Sequence, residues 1–435
     1  MSNRPISRRQ ILAYSGGALA TAALAGCGGS GGGGGGKTQI VLWSSYSGVL
    51  GKTLKKLVDD FNNSQSDIVL KNQYQGSYED TAAKLASALV AQKGPDFATL
   101  SDVTWNKFYL NQTIAPMDDY FGGDFTPDVY VKPLIDAGTR VNHIWWTPFA
   151  RSTPLFYYNK DVFQKAGLPD RGPKTWSELR EWGPELQKLD GHPMAHVFAT
   201  TENYNTWTFQ GNEWQWQANY SRDDLKEISI AEPKSIAAGE FARTFIHEDK
   251  LGKVSANNDT DFFNGQAATA TLSTGSLVTA LQSAKFDVGV AFLPEQKEFG
   301  CPLGGAGLCL MNNASEDKKQ AVFEFIKFAA KPENVAYWSQ HTGYMPVTQE
   351  SIDSAQMQKY FKKNPNFHVA VQQLSKTEPQ DLARVMVPNG QEMIGDGLER
   401  IMIKNEPTEK VFGSVKTQLE KAAKEALDQL ADIHG

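Results

Sequence analysis

From Tyr204 to Trp216 the chain reads Tyr-Asn-Thr-Trp-Thr-Phe-Gln-Gly-Asn-Glu-Trp-Gln-Trp. This stretch is dense in indoles and poor in the aliphatic residues that fill ordinary cores. An indole face attracts a quaternary ammonium group, at about 0.5–2 kcal/mol per ring. It also stacks on sugar rings. Tyr204 and Trp207 are therefore candidates to cup a cationic group or to form a saccharide platform, with packing between lobes as the competing use. Catalytic signatures are missing: there is no Gly-x-Ser-x-Gly elbow and no His-Glu-x-x-His. His192 and His196 stand four apart, but Pro193 lies between them and no acid is placed to complete a metal site. We expect no metal, no cofactor and no enzyme.

The N-terminus carries chemistry of another kind. Arg8-Arg9 precedes a small-residue apolar run from Ile11 to Gly26, which ends in Leu24-Ala25-Gly26-Cys27. A basic start, a short apolar stretch and a small-residue cleavage site read as an export signal. The paired arginines suggest the twin-arginine route. The run is short of the roughly 20 residues that a membrane span needs. The tetrapeptide ending at Cys27 looks like a bacterial lipobox, so we expect cleavage before Cys27 and lipidation of its thiol. Gly28 to Gly36 follows, glycine throughout except Ser30. It reads as a flexible tether with a reach of roughly 15–18 Å. A body held this way sits outside the cytoplasm, on the outer face of the cell membrane.

Cys301 and Cys309 are the remaining cysteines. A disulfide is permitted outside the cytoplasm, but it needs Cα atoms within about 7 Å. A strand at 308–311 would hold them too far apart. The formal charge of the 435-residue chain is −6, and cleavage before Cys27 removes three arginines and no acid, giving −9. No basic cluster points to nucleic acid. An anionic ligand would have to be held by a few local donors.

The elements that position these residues follow from periodicity. Strands are expected at 38–43, 68–70 and 95–100. Helices are expected at 50–62, with Leu54, Leu57, Val58 and Phe61 on one face, at 78–91 and at 102–110. This alternation predicts a parallel α/β sheet, with ligands gathering at its strand ends, Trp43-Ser44-Ser45 and Ser101-Asp102. Extended crossings are expected near Pro148, Pro294 and Pro346, and these are candidate hinges. A helix at 176–189 should be capped by Thr175 with Glu178 and kinked or split at Gly183-Pro184. The mature body, near 400 residues, is too long for one core. We divide the chain into 1–26, signal peptide; 27–37, lipidated cysteine and tether; 38–147 and 294–345, first lobe; and 148–293 and 346–435, second lobe with C-terminal helices.

Several motifs bear a resemblance. Pro148-Phe149-Ala150, then Leu155-Phe156-Tyr157-Tyr158-Asn159-Lys160-Asp161 through Gly167-Leu168, resembles the signature of family 1 extracellular solute-binding proteins, the capture subunits of ABC importers. Phe263-Asn264-Gly265, Lys331-Pro332-Glu333-Asn334 and Thr342-Gly343-Tyr344-Met345-Pro346-Val347 extend the likeness. Leu155 departs from it, standing where the family usually has a small residue. Gly76-Ser77-Tyr78-Glu79, Arg151-Ser152-Thr153-Pro154, Leu272 to Leu277 and Gly304-Gly305-Ala306-Gly307 resemble the group that binds sn-glycerol 3-phosphate and glycerophosphodiesters. Ala166 to Pro173, Trp207 to Gly211 and Gln380 to Val385 resemble actinobacterial glycerophosphocholine-binding lipoproteins in particular.

The resemblance implies a two-lobed α/β fold of the type II periplasmic-binding-protein kind, an ABC permease as partner, and a monomer. It implies ligand contacts from Tyr78, Asp102, Ser152, Ser273, Gly305, Tyr344 and Arg384. The chemistry is consistent. A phosphodiester keeps one negative charge and needs donors plus a cation where water is excluded. Arg384 offers a planar fork, Ser152, Ser273 and Tyr344 offer hydroxyls, and Gly305 offers an unshielded N–H. Asp102 with Tyr78 can accept from glycerol hydroxyls, which places Asp102 away from the phosphate. Tyr204 and Trp207 would then cup choline. A saccharide importer and, more remotely, an extracytoplasmic hydrolase are the rival readings.

Overall fold

The computed structural model describes residues 36–191, 193–222 and 225–434. The expected signal peptide, Cys27 and all but the last glycine of the tether lie outside these residues, as does His192. The N-terminal alternation gives β1 (Thr38–Ser44), helix Gly48–Ser64, β2 (Ile68–Tyr74), helix Tyr78–Val90, β3 (Phe97–Ser101) and helix Thr104–Leu110. β2, β1 and β3 are adjacent and parallel. The predicted face of the first helix, Leu54, Leu57, Val58 and Phe61, is buried. Phe61 meets Phe325 and Phe328 of helix Glu316–Ala329 edge-on, at centroid distances of 5.3 and 5.4 Å. Each such side chain contributes roughly 1.5–3 kcal/mol on burial, so this stripe fixes the helix on the sheet.

The rest of the first sheet is not parallel. β4 (Ile114–Ala115) follows the third helix, and β5 (Thr139–Arg140) and β6 (His143–Ile144) form a small separate hairpin. β7 (Thr147–Ser152) and β8 (Pro154–Asn159) come next, then β9 (Met194–Ala199), β10 (Gly252–Ser255), β11 (Ala267–Ser273), β12 (Val288–Ala291) and β13 (Gly304–Met311). β13 returns to the first sheet and pairs antiparallel with β3, β4 and β7. The second sheet has the order β10-β9-β11-β8-β12. The long C-terminal helix, Thr408–His434, lays Val411, Phe412, Val415, Leu419, Ala423 and Ala426 into the second lobe, against helices Gly390–Met402 and Pro233–His247.

The chain changes lobes later than the three prolines. Thr153 stands between two strands: β7 belongs to the first sheet, where its register with β13 shifts between Ala306 and Gly307, and β8 belongs to the second. After β12 the chain still follows the second lobe, with the Glu295 N–H donating to Lys174 O (2.8 Å) and the Lys297 N–H to Gln215 O (2.9 Å), so the change comes at Leu303-Gly304. Residues 345–348 remain fastened to the first lobe. The Met345 N–H donates to Arg151 O (2.8 Å), and the Val131 N–H donates to Val347 O (3.0 Å). Helices Gln349–Asp353 and Ala355–Lys363 stay beside helix Pro332–Thr342, and only helix Pro365–Leu374 packs on β12. Backbone pairing, rather than proline, sets where the lobes part.

One side chain joins all three changes of lobe. Gln373, fully buried, has its amide nitrogen 3.2 Å from Thr153 Oγ1, 3.0 Å from Pro154 O and 3.0 Å from Cys301 Sγ, while its Oε1 accepts from the Leu293 N–H at 3.2 Å. Cys301 and Cys309 are both buried and free. Cys309 lies within β13 and Cys301 precedes it, so the strand separates them as expected.

Two local expectations need correction. Helix Trp176–Gln187 is not split in two: it is a single element with Pro184 inside it. Gly183 packs so closely on Leu251 that a Cβ would come within 2.7 Å, and this contact holds the helix in place. Thr175 caps that helix through the Glu178 N–H (3.0 Å), but the Glu178 carboxylate does not return to it. It takes a bidentate pair with Arg171 instead (2.9 and 2.7 Å). The reciprocal capping box forms elsewhere: Ser77 Oγ accepts from the Asp80 N–H (3.0 Å) and Asp80 accepts from the Ser77 N–H (3.1 Å). That box fixes the helix start that carries Tyr78.

Candidate functional site

A cavity of about 280 Å³ lies between the lobes, and Tyr78, Asp102, Ser152, Tyr204, Trp207, Ser273, Gly305, Tyr344 and Arg384 all line it. The first lobe supplies loop and strand ends. Ser45 and Tyr46 follow β1, Ser101 and Asp102 end β3, and Gly305 opens β13. These are the strand ends that the α/β pattern marks. The second lobe supplies Tyr204 and Trp207 at the start of helix Asn205–Gln215, Ser273 at the end of β11, and Arg384 in the short helix Leu382–Val385.

Asp102 is held from two sides. Its N–H donates to Gly305 O at 3.1 Å, and its Oδ1 accepts from Arg151 at 2.6 Å. Arg151 is fully buried and its guanidinium lies 4.5 Å from the Trp146 ring centre. The Asp102 charge is thus offset by a cation outside the cavity lining, while Asp102 itself lines the cavity. Gly305 is required where it stands. Its φ is +101°, and a Cβ would lie 2.1 Å from Ala150 O.

The Tyr78 and Tyr344 hydroxyls are 3.4 Å apart, with Tyr46 3.5 Å from Tyr78. Tyr344 stacks on Trp338 at 6.1 Å. Burial pushes the hydroxyl pKa values of Tyr78 and Tyr344 up, so both remain protonated and able to donate. Ser273 Oγ accepts from the Gly275 N–H at 3.1 Å, which leaves its own O–H to donate.

Arg384 is 3% exposed, and its donors go to neutral oxygens. Nε donates to Thr206 Oγ1 (2.9 Å), Nη2 to Gln391 Oε1 (2.7 Å) and Nη1 to Gln380 Oε1. It makes no ion pair among the described residues. Three of the five guanidinium N–H groups are thereby used and two remain. Burial lowers its pKa to about 10, so it is charged at neutral pH. Asp102, Glu79 and Glu392 lend it distant negative charge, but no carboxylate is hydrogen-bonded to it, so its free donors are open to an anion.

Trp207 is largely enclosed. Its indole N–H donates to Leu303 O (2.9 Å), and its ring lies so close on Gly304 that a Cβ there would come within 2.3 Å. It therefore serves packing and lines the cavity together. Tyr204 sits at φ +65°, capping the helix start. Sequence reasoning did not select Thr206, Gln380 and Gln391, which aim Arg384, nor Glu79, which lines the cavity. The first three are ordinary polar residues until the fold brings them to one guanidinium. Glu79 had a signal, its place beside Tyr78 in the motif.

The chain matches the family model described as bacterial extracellular solute-binding protein over residues 56–368. It is 29% identical to the sn-glycerol-3-phosphate-binding periplasmic protein UgpB of Pectobacterium atrosepticum over 394 residues, 84% of this chain and 86% of that protein. With the protein of the same name from Salmonella typhimurium it shares 30% identity over 368 residues, 79% of this chain and 82% of that one. Among solved structures, UgpB from Mycobacterium tuberculosis in complex with glycerophosphocholine aligns with a TM-score of 0.84 and 38% identity, covering 91% of this chain and 100% of that chain. The cyclic alpha-maltosyl-1,6-maltose binding protein of Arthrobacter globiformis aligns with a TM-score of 0.77 at 21% identity, over 90% of this chain and 100% of that one, and shares the two-lobed fold.

Proposed function

The chain belongs to the bacterial extracellular solute-binding proteins, and from that premise we propose that it captures glycerophosphodiesters for an ABC importer, with glycerophosphocholine preferred and sn-glycerol 3-phosphate as a further ligand. Its place of work is extracytoplasmic. The observation that carries the ligand class is Arg384: a buried guanidinium, held by three neutral oxygens, with two donors to spare. A phosphodiester supplies two charged acceptor oxygens that match the planar fork. In this reading Ser152, Ser273 and Tyr344 donate to the phosphate or glycerol, and Asp102 with Tyr78 accepts from glycerol hydroxyls. The M. tuberculosis relative in complex with glycerophosphocholine supports the same ligand class. A saccharide would offer the two spare Arg384 donors only neutral acceptors.

The reading extends to the N-terminus. Export by the twin-arginine route, cleavage before Cys27 and lipidation of Cys27 would leave a monomeric receptor leashed to the membrane beside its permease. Titration calorimetry with glycerophosphocholine, glycerol 3-phosphate and maltose tests the ligand class, with recovered ligand checked by NMR. Saturable binding of glycerophosphocholine, returned intact, is the expected result. Binding of maltose alone contradicts it, and release of free choline would make the protein a hydrolase.

A further inference from the structure

The phosphate and glycerol contacts leave two acids of the cavity lining unused, Glu79 and Asp259, and Glu79 is the one near Arg384. Glu79 stands in the first turn of helix Tyr78–Val90, where an acid ordinarily answers the positive end of the helix. Here Asp80 already closes the capping box with Ser77, so the helix does not require a second carboxylate turned into the cavity. Glu79 belongs to the first lobe, and it faces groups of the second. Gln391, which accepts from Arg384 at 2.7 Å, lies beside its carboxylate. The Tyr204 hydroxyl and the Arg384 guanidinium both feel its charge. Burial holds its carboxyl above the usual range, against the pull of its own backbone N–H and of Arg384.

The charges of the cavity are therefore unequal. Asp102 is offset by Arg151. Glu79 and Asp259 then stand against Arg384 alone, an excess of one negative charge in the lining. A phosphomonoester approaches neutrality of charge poorly here, since its second ionisation lies near pH 6 and it is a dianion above that. A phosphodiester brings one negative charge. A diester of choline or ethanolamine brings none overall, and its short ethylene link keeps the ammonium close to the phosphate. With phosphate on Arg384, that ammonium falls among the groups flanking Arg384, an aromatic ring and a carboxylate.

We propose that Glu79 is the charge-selecting residue of the site: it pairs with the cationic head group of a zwitterionic phosphodiester seated on Arg384, between the rings of Tyr204 and Trp207, and disfavours phosphomonoester dianions. The assignment rests on the glycerophosphodiester reading of the cavity. Like-charge juxtaposition is a common device for excluding the wrong ligand.

Calorimetry on the full chain in detergent micelles tests this with three ligands: glycerophosphocholine, glycerophosphoglycerol, whose second arm is uncharged, and glycerol 3-phosphate. The parent should bind them in that order of affinity. Glu79→Gln should weaken glycerophosphocholine and strengthen glycerol 3-phosphate, moving their affinity ratio by about 30-fold, or roughly 2 kcal/mol. Glu79→Asp, which keeps the charge, should keep the parent's order. A ratio within twofold of the parent in a Glu79→Gln protein with native circular dichroism overturns the assignment. So does equal affinity of the parent for glycerophosphocholine and glycerophosphoglycerol, which needs no variant at all. If the parent binds none of the three, the glycerophosphodiester reading itself fails and Glu79's role falls with it.

Discussion

Replacing Arg384 with methionine separates a ligand-binding arginine from a structural one. The side chain is 3% exposed, and burial lowers its pKa from the ordinary guanidinium value to about 10. At about 1.4 kcal/mol per pH unit, holding this charge inside the unliganded protein costs roughly 3 kcal/mol. The sign is set by the direction of the shift: the folded value is the lower one, so below about pH 10 both states are charged and the penalty is fully present at neutral pH. Hydrogen bonds to Thr206, Gln380 and Gln391 offset much of it. Arg384→Met removes the penalty and the bonds together and keeps most of the volume. Unliganded stability, read by urea denaturation, should stay within about 2 kcal/mol of the parent. Ligand affinity should fall by about 2–5 kcal/mol, which is about 30- to 4,000-fold, because the phosphate is then desolvated against no cation. Affinity within threefold of the parent would refute the phosphate assignment. A loss of more than about 4 kcal/mol of unliganded stability would instead make Arg384 a strut of the second lobe.

Three further outcomes follow from buried groups. Burial raises the Glu213 carboxyl to about 8, so the unfolded chain ionises it near pH 4.5 while the folded protein keeps it protonated; stability should fall as pH rises between those values, by up to roughly 5 kcal/mol. Glu213→Gln should therefore gain on the parent in urea midpoint between about pH 5 and about pH 8, and a constant difference would count against this. Gln373→Leu leaves Thr153, Pro154 O and the Leu293 N–H without their partner and should cost about 2–4 kcal/mol in chemical denaturation; a cost under about 0.5 kcal/mol would show that the lobe crossings do not depend on it. Trp207→Ala should weaken glycerophosphocholine by about 0.5–2 kcal/mol more than glycerol 3-phosphate, and an equal loss for both ligands would mean that the indole only supports the cleft.

Much of the site was legible because short motifs fix backbone geometry locally. Gly304-Gly305 announces a close approach, and β13 supplies it against Ala150 O and the Trp207 ring. Asp102 at the end of β3 follows from the strand–helix alternation alone. What could not be read was pairing across long separations. Arg151 lies inside a recognised motif, yet its role beneath Asp102 appears only when the ends of β3 and β7 meet at β13. Thr206, Gln380 and Gln391 converge on Arg384 from two helices and the segment preceding it, and nothing in a glutamine's local context signals that. The changes of lobe lie beyond the prolines for the same reason: they are set by bonds such as Met345 N–H to Arg151 O, which join distant segments. The antiparallel return of β13 likewise depends on which strand edge is open, and periodicity does not record that.

The central claim is that Arg384 is a cation waiting for a phosphate. A crystal structure of the protein grown with glycerophosphocholine tests it most directly. The ligand should lie in the interlobe cavity, with phosphate oxygens at about 2.7–2.9 Å from the two unused Arg384 N–H donors and glycerol hydroxyls on Asp102 and Tyr78. A phosphate seated away from Arg384, or a cavity empty at saturating ligand, would contradict it.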